Sequence, residues 1–95
     1  MDKAQVLERI RATGLIPVIR ARSADEAARA ADAIQAGGVS VLEITMTVPG
    51  AVELIREVAG REKDAVVGAG TVLDPDGAPV AGGVDPIDSR IMVAT

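Results

Sequence analysis

The chain has 95 residues, with 10 Lys+Arg against 14 Asp+Glu for a net charge of −4, and 48% of its residues are hydrophobic. That composition fits one small globular domain, too apolar for a disordered tail and without the repeat of a rod. No apolar run approaches the roughly 20 residues needed to span a bilayer, and the acidic balance argues against binding a phosphate backbone.

Lys3 to Thr13 reads as a helix: Val6, Leu7 and Ile10 form one apolar stripe, and Gly14 stands where a C-terminal cap belongs. Leu15-Ile16-Pro17-Val18-Ile19 has the length and branching of a strand, although Pro17 cannot donate to a central ladder. Ser23-Ala24-Asp25-Glu26 is a capping-box pattern that opens an Ala-rich helix to about Ala36, stopped by Gly37-Gly38. Val39 to Met46 has strand character. Pro49 suits the first turn of the next helix, whose apolar side carries Val52, Ile55, Val58 and Ala59 and which stops near Gly60. Ala65-Val66-Val67-Gly68 begins a third strand. Strand starts near 15, 39 and 65 recur at about the ~30-residue period of parallel βα units.

After Val72 the character changes. Residues 74–90 hold Pro75, Pro79, Pro86, Gly77, Gly82 and Gly83, which a helix cannot easily absorb. This last part reads as irregular loop, with Ile91-Met92-Val93-Ala94 as a possible short strand.

Absences narrow the chemistry. There is no Cys, no His and no aromatic residue. Disulfides, thiolate or imidazole metal sites, Ser-His-Asp catalysis and aromatic stacking on single-stranded nucleic acid are therefore excluded. The only lysines are Lys3 and Lys63. Met1 to Gln5 shows no basic segment leading into a hydrophobic run, so no signal peptide is read and a cytoplasmic location is expected.

Glu43 stands out because it interrupts Val41-Leu42-Glu43-Ile44-Thr45-Met46. Strand alternation sets Leu42, Ile44 and Met46 on one face and Val41, Glu43 and Thr45 on the other. A carboxylate inside a covered parallel sheet is costly unless paired or solvated. It is either a solvated group on an edge strand or near a strand end, or a general acid/base set up by desolvation. Arg20, Thr47 and Thr71 follow the C-terminal ends of the expected strands, the rim where (β/α) folds bind ligands. Arg20 suits a carboxylate or phosphate, or a plain surface ion pair; Thr47 and Thr71 are most simply loop hydroxyls or helix caps. Gly68-Ala69-Gly70-Thr71 offers a weak anion cradle through backbone N–H groups. The acidic residues Glu57, Glu62 and Asp64 read as a solvated helix end rather than a metal site.

Three blocks together resemble one family. Gly14-Leu15-Ile16-Pro17-Val18-Ile19-Arg20-Ala21, Val41-Leu42-Glu43-Ile44-Thr45-Met46-Thr47-Val48-Pro49 and Val67-Gly68-Ala69-Gly70-Thr71-Val72-Leu73 are similar, in order and spacing, to the 2-keto-3-deoxy-6-phosphogluconate / 4-hydroxy-2-oxoglutarate aldolase family. The resemblance covers about residues 5–75. It implies an α/β fold that is part of a (β/α)8 TIM barrel, with a leading helix and about three parallel βα units. Residues 1–75 would be this barrel portion and 76–95 an irregular Gly/Pro-rich tail without family resemblance.

The resemblance further implies a class I lyase, usually a homotrimer, with no metal or organic cofactor. A lysine amine forms a Schiff base with the 2-keto carbon, and C3–C4 cleavage then releases pyruvate with glyceraldehyde 3-phosphate or glyoxylate. Glu43 falls on the catalytic glutamate, which shuttles protons. Arg20 and Thr71 fall on the site for a pyruvate-like carboxylate, and Thr47 stands where some members carry an arginine. The Schiff-base lysine and the phosphate loops belong to later barrel strands. Lys3 lies in the leading helix, and Lys63 is expected in a helix-to-strand connection on the face opposite the rim. These 95 residues alone are therefore expected to be inactive. The contrasting expectation is a non-catalytic small α/β module that self-associates through open sheet edges or binds an anion, with a flavodoxin-like domain as one form of it.

Overall fold

The structure, a computed structural model, describes residues 2–61, 64–71 and 91–93. Lys63, Glu62 and the Gly/Pro-rich run at 76–90 lie outside the described residues.

Helix α1 (Lys3–Thr13) starts from a reciprocal cap. Asp2 accepts from the Gln5 N–H, and the Gln5 side chain accepts from the Asp2 N–H. It ends at Gly14, whose φ of 80° is the left-handed cap that glycine adopts without strain. Strand β1 is only Val18–Ile19, shorter than the expected run from Leu15. Pro17 is the reason: its carbonyl accepts from Glu43 N at 2.9 Å, but it has no N–H to extend the ladder. Helix α2 (Ala24–Ala36) opens on Ser23, whose hydroxyl accepts from Glu26 N at 3.1 Å.

Strand β2 (Val41–Thr45) leads to helix α3 (Ala51–Arg61). Pro49 is not in the first turn of α3, as expected, but precedes Gly50, whose φ of +71° turns the chain and whose carbonyl accepts from Leu54 N. Strand β3 (Val66–Gly70) follows, and Ile91–Val93 forms β4. The short strand expected at 91–94 is thus present as Ile91–Val93. The four strands are all parallel, in the order β1-β2-β3-β4. An α/β fold of this order, with a helix linking each of the first strands, is part of a (β/α)-type barrel.

The two faces of the sheet differ. Ile19, Leu42, Ile44, Val67 and Ala69 pack against Ala27 and Ala31 of α2 and Leu54, Ile55, Val58 and Ala59 of α3. Arg61 ties these helices through Asp32 at 2.7 Å. On the opposite face, the first residues of β2 and β3, Val41 and Val66, pack with Val6 and Ile10 of α1. Arg9 holds this plug in place by donating to Ser40 Oγ and to the carbonyl of Asp64. Leu7, expected on the same stripe, is 45% exposed. Helix α1 therefore closes the N-terminal end of that face and leaves its C-terminal half uncovered by any described helix.

Candidate functional site

Alternation in β2 runs as its residues dictate. Leu42 and Ile44 enter the helix-side core with Met46 packed beside them, whereas Val41, Glu43 and Thr45 face away from α2 and α3. Glu43 sits mid-strand, in register between Val18 of β1 and Gly68 of β3. It is half-buried, and its carboxylate has no hydrogen-bond or ion-pair partner among the described residues. β2 is an interior strand, so the carboxylate is not the solvated side chain of an edge strand.

The Glu43 side chain lies along β3. A Cβ built on Gly70 would overlap Glu43 Oε1 and stand 2.7 Å from Cδ and 3.0 Å from Cγ. The side chain thus leans toward the C-terminal ends of the strands, where Arg20, Thr47 and Thr71 follow β1, β2 and β3. Arg20 is exposed and has no ion-pair partner among the described residues, so the surface ion pair weighed for it is not formed there. Thr47 is exposed, and its hydroxyl lies 2.6 Å from that of fully buried Thr45. Thr71 is half-buried with φ 58°, a left-handed conformation rare for a β-branched residue.

The Gly68-Ala69-Gly70 segment is not an anion cradle. These residues lie inside β3, paired with β2, and Gly70 O accepts from Met46 N at 2.8 Å. Their backbone groups belong to the sheet ladder, and what the glycines provide is a bare surface beside Glu43. Reading residue types one at a time misses that surface, yet two glycines at i and i+2 of a strand do signal it, because they share a face. Thr45 was legible as a neighbour of Glu43, but its role in fixing Thr47 was not. Glu57 and Asp64 are exposed, and Glu57 pairs with Arg61 at 3.9 Å, in keeping with a solvated helix end. Among the described residues no group of three or more acidic residues could hold a metal ion, and no helix is long and apolar enough to cross a membrane.

A hollow of about 470 Å³ lies at the same end of the sheet, lined by Met46, Thr47, Val48 and the start of α3. In chemical terms the arrangement is a half-buried carboxylate below a rim that carries a guanidinium, neither of them paired among the described residues, and threonine hydroxyls. It can move a proton and receive a small anion.

The family of KDPG and KHG aldolases matches residues 6–85. The KHG/KDPG aldolase of Escherichia coli (strain K12) is 46% identical over 69 residues, covering 72% of this chain and 32% of that protein. The 2-dehydro-3-deoxy-phosphogluconate aldolase of Dickeya dadantii (strain 3937) is 48% identical over 61 residues, covering 64% of this chain and 29% of the relative. A crystal structure of the 2-keto-3-deoxy-6-phosphogluconate aldolase of Zymomonas mobilis ZM4 with 3-phosphoglycerate superposes with a TM-score of 0.69 at 34% identity, covering 84% of this chain and 38% of that one. This chain thus spans about a third of the length of the curated relatives it matches. On sequence and fold alike, the chain belongs to the KDPG and KHG aldolase family.

Proposed function

We propose that these residues are the proton-transfer and carboxylate-binding portion of a class I aldolase acting on a 2-keto-3-deoxy-6-phosphogluconate- or 4-hydroxy-2-oxoglutarate-type acid. The observation that carries this reading is the Glu43 carboxylate, unpaired among the described residues and laid over Gly70 toward the rim. In such a reaction an amine adds to the C2 ketone, and Glu43 passes a proton to the departing hydroxyl, so that water leaves and an iminium forms. The carboxylate then takes the proton from the C4 hydroxyl. The C3–C4 electron pair flows into the iminium, giving the aldehyde and an enamine that is reprotonated at C3 and hydrolysed to pyruvate. Arg20 and the Thr71 hydroxyl hold the substrate's C1 carboxylate, and Thr47 borders the same rim.

Among the described residues no lysine stands at the rim to supply that amine. Lys3 opens α1, at the end of the sheet opposite the rim. The 95 residues alone therefore bind a 2-keto acid weakly and do not turn it over. Borohydride reduction in the presence of pyruvate tests this, with adducts mapped by mass spectrometry. No lysine-specific adduct is expected. An adduct on Lys3 or Lys63 that disappears in Glu43→Gln would mean that the chain supplies its own Schiff base.

A second reading is favoured by one observation. Leu15, Ile16 and Val18 are 52%, 38% and 51% exposed beside β1, which is the edge of the sheet. Apolar surface beside an open strand edge promotes association with another copy.

A further inference from the structure

Glycine weakens a strand interior, because it brings no side chain to pack and gives up the most backbone freedom on folding. Gly70 nevertheless ends a strand in which every residue is buried. Backbone conformation does not call for it. The positive-φ glycines among the described residues are Gly14, Gly38 and Gly50, and Gly70 is not one of them. An added Cβ at Gly14, Gly38 or Gly60 meets nothing within 4 Å. At Gly70 its three nearest atoms all belong to Glu43.

We propose that Gly70 is a positioning residue, whose missing Cβ lets the Glu43 side chain lie along β3 and carry its carboxylate from mid-strand toward the rim bearing Arg20, Thr47 and Thr71. The register gives the reach. Glu43 pairs with Gly68, and its side chain extends to Gly70, two residues farther on, or about 7 Å along the strand. Gly68 and Gly70 share that face, so β3 presents a trough without side chains where Glu43 crosses it. An alanine at 70 has to displace everything from Cγ outward, and the carboxylate then leaves the rim. The functional weight of this position rests on the role proposed above for Glu43, whereas the positioning itself does not.

NMR on the 95-residue chain tests it. The wild-type protein should show a cross-peak between Glu43 Hγ and Gly70 Hα. Gly70→Ala should abolish that contact and shift the Glu43 Cδ resonance, while the β2–β3 amide cross-peaks stay. Absence of the wild-type contact, or an unmoved Cδ resonance in folded Gly70→Ala, overturns the proposal. Where Gly70→Ala fails to fold, the double variant Gly70→Ala/Glu43→Ala decides. Recovered folding supports the displacement of Glu43 as the cause, and persistent unfolding contradicts it. Pyruvate binding is read separately, so a chain blind to pyruvate sinks the functional reading and leaves the Gly70 result standing.

Discussion

The hydroxyls of Thr45 and Thr47 lie 2.6 Å apart, joining a fully buried position at the end of β2 to an exposed one on the rim. Among the described residues Thr47 is the only partner of the buried hydroxyl. The two positions should therefore respond unequally. Thr47→Ala removes the one partner that the fully buried Thr45 hydroxyl has among the described residues and should cost about 1–3 kcal/mol. Thr45→Val removes the buried polar group at nearly constant shape and should cost less, under about 1 kcal/mol, leaving Thr47 to water. Urea denaturation of both variants checks this order. A larger loss at Thr45→Val would show that the pair does not carry the stability.

Thr71 holds φ 58° directly after β3. The left-handed region costs an L-residue roughly 1–2 kcal/mol, offset in part by the backbone entropy that glycine loses. Thr71→Gly should accordingly stabilise the chain by up to about 1 kcal/mol while removing the hydroxyl from the rim. Thr71→Val keeps the strain and should not stabilise. Denaturant midpoints that fall for Thr71→Gly would contradict the conformation.

Much of this arrangement is legible in the sequence where one physical signal acts alone. The Val6/Ile10 stripe and the Gly14 cap delimit α1, and alternation in Val41–Met46 assigns Glu43 to the face away from α2 and α3. Expectation and structure part where two signals compete. Leu15 and Ile16 look like strand, yet Pro17 withholds the donor that would pair them. The Gly68–Gly70 segment suggests a loop cradle, yet β-branched Val66 and Val67 carry it into the sheet, and its purpose shows only once Glu43 is placed across from it. The conformation of Thr71 has no local sequence signal, since threonine rarely adopts it.

The β1 edge predicts behaviour in solution. With Leu15, Ile16 and Val18 exposed beside an open strand, the 95-residue chain should sediment as a concentration-dependent oligomer at micromolar concentration. Leu15→Lys places a charge beside that edge and should shift the population toward monomer. A wild-type chain that stays monomeric across the range would rule out the edge as an association surface.

The core on the helix side sets the scale against which rim substitutions are judged. Leu42 is fully buried between the sheet and its helices, so Leu42→Ala should cost about 2–5 kcal/mol, more than Thr47→Ala. Chemical denaturation that finds Leu42→Ala no worse than Thr47→Ala would place the core elsewhere.

The most direct measurement is a pyruvate titration followed by the backbone amides of Arg20 and Thr71 and the side-chain carbons of Glu43. Binding at the proposed site should move all three sets of resonances with one saturation curve, and Arg20→Ala should abolish the response. Saturating shifts confined to other residues, or no movement at Glu43 while Arg20 and Thr71 respond, would contradict the assignment of this carboxylate to the reaction site.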